Sequence, residues 1–215
     1  MTTSFKITAL VVGVLGVFIV ATLFFSWPMS GWFSHTSPDV SGVASTTPPV
    51  ASGTQVGSDA KNATYVIEGS PVTLVNGVSV VAAAPGSASN ITTRYFGNEV
   101  VHDLNGDGRP DVAFILTQNT GGSGTFYYAV AALNLPNGYV GSHGFLLGDR
   151  IAPQATTIDE GTTTVGTKRQ NVIVFNYADR KPGDSFATPP SVGKSVWLKL
   201  DPATMQFGEV AQGGL

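Results

Sequence analysis

The sequence predicts a mainly β protein: a single antiparallel β-sheet domain, sandwich or blade-like, that follows an N-terminal transmembrane helix and a disordered linker. The 215 residues include 26 Gly and 13 Pro, and only 12% are charged, which is typical of strands joined by turns. Short runs rich in β-branched and aromatic residues recur beyond residue 60, where no amphipathic helix is indicated. One long apolar run stands apart near the N-terminus.

That apolar run, ITALVVGVLGVFIVATLFF at residues 7–25, carries no charge. A membrane-spanning helix needs about 20 apolar residues, whereas the apolar part of a cleaved signal peptide has roughly 7 to 15. Lys6 precedes the run and the next basic residue is Lys61, so the positive-inside rule places the N-terminus in the cytoplasm. We therefore predict a signal anchor over residues 1–33, with the main domain extracytoplasmic or at the cell surface. A cleaved signal peptide is the alternative.

Residues 34–60 are dominated by Ser, Thr, Pro and Gly and show no sustained helical or strand periodicity. Such a composition buries too little apolar surface to order itself, which predicts a linker. Residues 61–215 remain for the extracytoplasmic domain and are numerous enough to form one core without disulfides.

The predicted strands begin with TYVIE, PVTLV and VSVVA. Asn76 and Gly77 lie between the second and third of these, and this dipeptide is typical of a two-residue hairpin turn. Further runs of strand length and composition follow, separated by Gly-, Pro- and Asn-rich loops: residues 111–118, 125–135, 144–148, 171–178, 195–201 and 206–211.

Composition and motifs also exclude several functions. A net charge of -3 without a basic patch argues against a nucleic-acid partner. The absence of cysteine excludes disulfides, a thiolate nucleophile and cysteine-ligated metals. The segment Gly193-Lys194-Ser195 is the end of a phosphate-binding loop motif, but Thr188 stands where that motif needs glycine and a strand-like run follows, so we expect no nucleotide.

The segment DLNGDGRPD predicts a calcium site. Oxygen ligands at alternate loop positions converge on a hard cation, and a glycine at position 6 permits the sharp turn. The predicted metal ligands are the side chains at positions 1, 3, 5 and 9 and the backbone carbonyl at position 7: Asp103, Asn105, Asp107, Asp111 and Arg109. Magnesium prefers a stricter octahedron, and softer metals prefer imidazole or sulfur. The alternative is a polar turn without an ion.

This loop resembles the calcium loops of FG-GAP repeats and, more distantly, those of dockerins and EF-hands. It departs from the EF-hand because Phe114 occupies position 12, where that family has a bidentate glutamate, and it leads directly into a predicted strand. The motif occurs once, so a repeat architecture is not implied. The longer stretch over residues 94–183 resembles uncharacterised membrane-anchored bacterial extracytoplasmic proteins.

The function we expect is that of a calcium-stabilised binding or cell-envelope structural module, non-enzymatic, with an envelope protein or polysaccharide as partner. The alternative is an anchored hydrolase acting on cell-wall or surface polymers, with a carboxylate pair such as Asp159-Glu160, or Asp149 with Asp184. The flexible, Gly-rich loop NTGGSG, residues 119–124, is the first place where we expect a binding surface.

Overall fold

The computed structural model describes residue 57, residues 59–162 and residues 166–211. The predicted signal anchor, residues 1–33, and most of the predicted linker lie outside this part of the chain. Within the described residues, none of the helices combines the length and apolar character needed to cross a membrane. Gly57, inside the predicted linker, pairs with Tyr139 through two backbone hydrogen bonds of 2.9 and 2.8 Å.

The described residues are mainly β, as predicted, and all strand pairs are antiparallel. A short 3-10 helix, Ala60–Asn62, precedes the first strand and is capped by the side chain of Asp59. The strands are β1 (Thr64–Ile67), β2 (Ser70–Thr73), β3 (Val78–Ala82), β4 (Asn90–His102), β5 (Asp111–Asn119), β6 (Phe126–Leu135), β7 (Gly138–Gly141), β8 (Phe145–Asp149), β9 (Ala152–Asp159), β10 (Val172–Asp179), β11 (Val192–Asp201) and β12 (Gln206–Glu209).

These strands divide among three antiparallel sheets. The largest has the order β3-β4-β5-β6-β7, and β8 pairs with β6 beyond the end of β7. A second sheet has the order β12-β11-β10-β9, and β1 and β2 form a two-stranded hairpin.

The largest sheet is covered on both faces. Successive side chains of a strand point to opposite faces, so β5 contributes to two separate cores. Ile115 packs with Phe175 of the four-stranded sheet on one side. Phe114 packs on the other side with Tyr65 of the hairpin, their ring centroids 5.6 Å apart in an edge-on arrangement. The fold is therefore three layers, with the largest sheet in the middle.

The predicted hairpin at Asn76-Gly77 is only partly correct. The turn itself forms, with φ angles of 51° and 80°, but it pairs only Val75 with Val78. The strands on either side belong to different sheets, because β2 pairs with β1 and β3 pairs with β4. The Asn-Gly turn reverses the chain direction. Burial of the β1–β2 hairpin against the largest sheet determines which strands pair with each other.

Three of the described strands were not predicted from the sequence: β4, β7 and β9. In β4 the residues Gly97 and Asn98 have φ angles of 110° and 50°, and the register against β5 shifts around them. This bulge breaks the alternation on which strand prediction depends. Strand β9 is polar and contains Pro153, as edge strands do, and β7 has only four residues.

The close approach of β7 to the hairpin provides a test of this packing. A Cβ atom at Gly141 would lie 2.4 Å from the backbone oxygen of Thr64, whereas a Cβ at Gly193 meets nothing within 4 Å. We expect Gly141→Ala to destabilise the domain by about 1 to 3 kcal/mol through overpacking. The matched Gly193→Ala should leave the thermal midpoint nearly unchanged. Equal midpoints for the two variants in thermal unfolding would contradict the described packing.

Candidate metal centre

The predicted metal loop connects β4 to β5. Its ends are held together because His102 at the end of β4 pairs with Asp111 at the start of β5. The loop between them is therefore closed at its base by two inner strands of the largest sheet.

Asp103 organises the first half of the loop through backbone hydrogen bonds. One carboxylate oxygen accepts from the N–H groups of Gly106 and Asp107, at 2.7 and 3.2 Å, and the other accepts from Gly108 at 2.8 Å. The bond from Gly108, followed by those from Gly106 and Asp107, lowers the pKa of Asp103 below its ordinary value despite an opposing desolvation. Gly108 has a φ of 83°, so glycine at position 6 serves the turn as the sequence predicted.

Asn105 and Asp107 hold each other at the tip of the loop. The N–H of Asp107 donates to the Asn105 side-chain oxygen at 3.0 Å, and the Asn105 amide donates back to the Asp107 carboxylate at 3.1 Å. Arg109 also donates to the Asp107 carboxylate, through its backbone N–H at 2.9 Å and through its guanidinium at 2.6 Å. The backbone bond from Arg109 is the largest cause of a lowered pKa at Asp107.

Arg109 also has a role that the sequence did not reveal. It was predicted to contribute its backbone carbonyl, but its side-chain Nε donates to the backbone oxygen of Asn134 at 2.6 Å. The guanidinium therefore bridges the loop carboxylate Asp107 to the end of β6. Long-range contacts of this kind are invisible in loop spacing.

Asp111 is the most deeply placed of the predicted ligands. It is 0% exposed, and its two oxygens accept from the N–H groups of Leu104 at 2.9 Å and Asn134 at 2.7 Å. Burial is the largest cause of a raised pKa at Asp111, and the charges of Asp107 and Asp103 raise the pKa further. Among the described residues, none forms an ion pair with Asp111. This carboxylate joins the loop, β5 and β6.

The donor types fit calcium, since three carboxylates, an amide and a carbonyl are all hard oxygen ligands. Their present arrangement is not a coordination sphere. Within the described ranges, no three His, Asp or Glu side chains are grouped as metal ligands. Asp103 and Asp107 instead bind backbone N–H groups, and Asp107 also binds Arg109.

A residue that sequence reasoning missed, Asn171, supports the loop from the bend immediately before β10. Its amide donates to the backbone oxygen of Leu104 at 3.0 Å, and its side-chain oxygen lies 3.3 Å from Nε2 of His102. The same ring nitrogen lies 3.4 Å from Glu160. A φ of 56° at Asn171 is its only distinctive local property, and asparagine tolerates that conformation better than most residues.

The carboxylates considered for a hydrolase are held in structural contacts. Asp159 accepts from Gly161, Arg169 and Trp197, and these bonds, the one from Gly161 foremost, lower the pKa of its carboxyl. At Asp149, burial opposes ionisation, but the hydrogen bond from Arg150 and other contacts lower the pKa on balance. Neither group has the raised pKa of a general acid.

Comparisons with protein-family models, curated proteins and solved structures give no match for this chain.

Replacing Asp111 tests its structural role. In Asp111→Asn one acceptor oxygen becomes an NH₂ donor facing a backbone N–H, so we expect a loss of about 2 to 3 kcal/mol in the free energy of unfolding. Asp201 provides a matched control, because it accepts bonds from Ala203 and Thr204 at an exposed turn. Urea unfolding of both variants measures the difference. A loss at Asp111 no larger than that of Asp201→Asn would contradict the assigned role.

The lowered pKa of Asp103 implies that its contribution to stability is lost at low pH. Its folded-state pKa is lowered, so its contribution to stability is present above the ordinary value of 3.8 and is lost as the pH falls through the folded-state pKa. We expect the midpoint difference between the native sequence and Asp103→Asn, measured in chelator, to hold at pH values above 3.8 and to shrink as the pH is lowered below 3.8. A difference that stays the same well below 3.8 would argue against the N–H bonds as its source.

Proposed function

We propose that this chain is a single-pass membrane protein whose extracytoplasmic β domain is stabilised by calcium and acts as a binding or cell-envelope structural module. In this proposal residues 1–33 are the signal anchor, residues 34–60 are the linker, and the domain extends over residues 61–215 as a three-layered β structure. The N-terminus is cytoplasmic because Lys6 precedes the apolar run and neither Lys nor Arg occurs again before Lys61. Calcium is a structural ion here.

The observation that carries the calcium proposal is the complete burial of the Asp111 carboxyl group. This carboxylate is fully buried, none of the described cationic side chains pairs with it, and two further carboxylates in the same loop raise its pKa. Burying an ionised carboxylate without a counter-charge is costly. A cation held by Asp103, Asn105, Asp107, Asp111 and the Arg109 carbonyl would compensate that charge and stabilise the loop against β6.

Calcium fits this loop better than magnesium does. Calcium accepts 6 to 8 oxygen ligands in flexible arrangements, whereas magnesium demands a near-ideal octahedron and retains its water. The loop would bind calcium at the expense of the contact between Arg109 and Asp107, which favours a modest affinity suited to a compartment rich in calcium. Metal binding and folding are then coupled.

A non-enzymatic role is supported by the surroundings of the acids. The hydrolase alternative needs an accessible acid with a raised pKa facing a second carboxylate. Among the described aspartates with a resolved pKa shift, only Asp111 has a raised pKa, and it is fully buried and bound to two backbone N–H groups. A substrate could not reach it.

Thermal unfolding of the full chain with calcium or with chelator tests the proposal. A ligand at about 100 times its dissociation constant adds roughly 2.7 kcal/mol when it binds only the native state. We expect a calcium-induced rise in the midpoint for the native sequence and for Asp201→Ala, and no rise for Asp107→Ala. Magnesium at the same concentration should raise the midpoint less.

The readout is the increment caused by calcium, so a lower basal stability of Asp107→Ala does not affect the comparison. If calcium does not raise the midpoint of the native sequence, or raises that of Asp107→Ala equally, the loop is a polar turn without a calcium site.

A further inference from the structure

A polar cavity lies at the end of β5 opposite to the metal loop. It has a volume of about 360 Å³ and is lined by Thr92 and Arg94 of β4, Thr117 and Asn119 of β5, and Thr125. The strand register aligns these side chains, because Arg94 pairs with Thr117 and Thr92 pairs with Asn119. Cross-strand partners share a face of the sheet, so four of the five lining residues form two adjacent rows.

The loop that closes this cavity, residues 119–124, is held in place by its own side chains and by β8. Asn119 accepts from the N–H of Gly121 at 2.8 Å and donates to the carbonyl of Gly124 at 2.9 Å. The N–H of Thr125 donates to Asp149 at 2.8 Å. The rim of the cavity is therefore ordered before any ligand binds, which lowers the entropic cost of binding.

Arg94 contributes an uncompensated positive charge to the cavity. Its side chain is exposed, and it makes no ion pair or side-chain hydrogen bond with any described residue. Asp149, whose carboxylate accepts from the N–H of the lining residue Thr125, is already paired with Arg150 at 2.8 Å. A guanidinium binds carboxylates through two parallel hydrogen bonds, so Arg94 is suited to an anionic group on a ligand.

An aromatic pair adjoins the row of Arg94 and Thr117. Tyr127 is the next residue in that row, since Thr117 pairs with Tyr127 across β5 and β6. Phe96 packs edge-on against Tyr127 with ring centroids 5.5 Å apart, and 44% of Phe96 remains exposed. An exposed ring beside polar groups offers an apolar surface to a ligand that also forms hydrogen bonds.

We propose that this cavity binds an acidic saccharide, namely a sugar unit that carries a carboxylate, such as a uronic acid in an envelope polysaccharide. Arg94 binds the carboxylate, and Phe96 contacts the C–H face of the ring. The hydroxyls of Thr92, Thr117 and Thr125 bind the sugar hydroxyls, while the Asn119 side chain holds the rim in place. The volume lies near the lower end of the range of about 300 to 1,000 Å³ for ligand sites, which suits one or two sugar units.

The combination of groups favours a sugar acid over a simple anion. Sulfate or phosphate would use the guanidinium and accept from the hydroxyls but would leave the aromatic surface without a role. A neutral sugar would leave Arg94 unpaired. This inference rests on the proposed binding role of the domain, but it does not involve the calcium loop.

Binding of sodium glucuronate to the full chain tests the proposal. The chain is kept in a detergent without a sugar headgroup, and calorimetric titration compares sodium glucuronate with glucose, sodium acetate and sodium sulfate. We expect binding of glucuronate only, weakened by roughly 10-fold or more in Arg94→Gln, because this substitution removes charge-assisted hydrogen bonds to the carboxylate. Thr117→Val should weaken binding less.

Lys199→Gln is the matched control. Lys199 is exposed and lies between the buried residues Leu198 and Leu200, so it faces away from the core on the outer side of the four-stranded sheet. Its replacement removes one positive charge outside the cavity and should leave glucuronate binding unchanged. Equal effects of the Arg94 and Lys199 variants would mean nonspecific charge attraction and would overturn the proposal.

The remaining outcomes separate this inference from the calcium proposal. No glucuronate binding, or equally tight binding of acetate or sulfate, overturns the saccharide site even if calcium still raises the thermal midpoint. Glucuronate binding that is the same in calcium and in chelator supports the saccharide site even if the calcium-induced midpoint rise is absent.

Discussion

The constraint on which the rest of the structure depends is the need to cover both faces of β5 and β6. Phe114 and Ile115 are adjacent in sequence, point in opposite directions and are both fully buried or nearly so. A strand with two apolar faces is stable only if each face packs against another layer. The four-stranded sheet covers one face and the β1–β2 hairpin covers the other. The three-layer arrangement follows from this requirement.

The same strand fixes the positions of two polar sites at its opposite ends. Asp111 begins β5 beneath the candidate metal loop, and Asn119 ends it at the rim of the candidate saccharide cavity. Because the strand between them is packed on both faces, each end is a rigid base for a loop.

Asp111 shows how closely folding and chemistry are related in this domain. Its carboxylate binds Leu104 and Asn134, and thereby fastens the loop and β6 to the start of β5. Burial raises its pKa, so ionisation at neutral pH works against the fold unless a positive charge is nearby. The loop thus gains stability from its hydrogen bonds and carries an electrostatic cost, and the proposed calcium ion would offset that cost.

The sequence alone determined the β class, the strands with continuous apolar runs such as β5, β6 and β10, and the glycine-assisted turn of the loop, because these depend on local side-chain pattern and backbone freedom. It also indicated the loop over residues 119–124 as a place for a binding surface, which stays a prediction. Only the tertiary structure decided that Asp111 is buried against Asn134 and that Arg94 lies opposite Thr117. Both depend on strand register, which long-range packing and the bulge at Gly97 set.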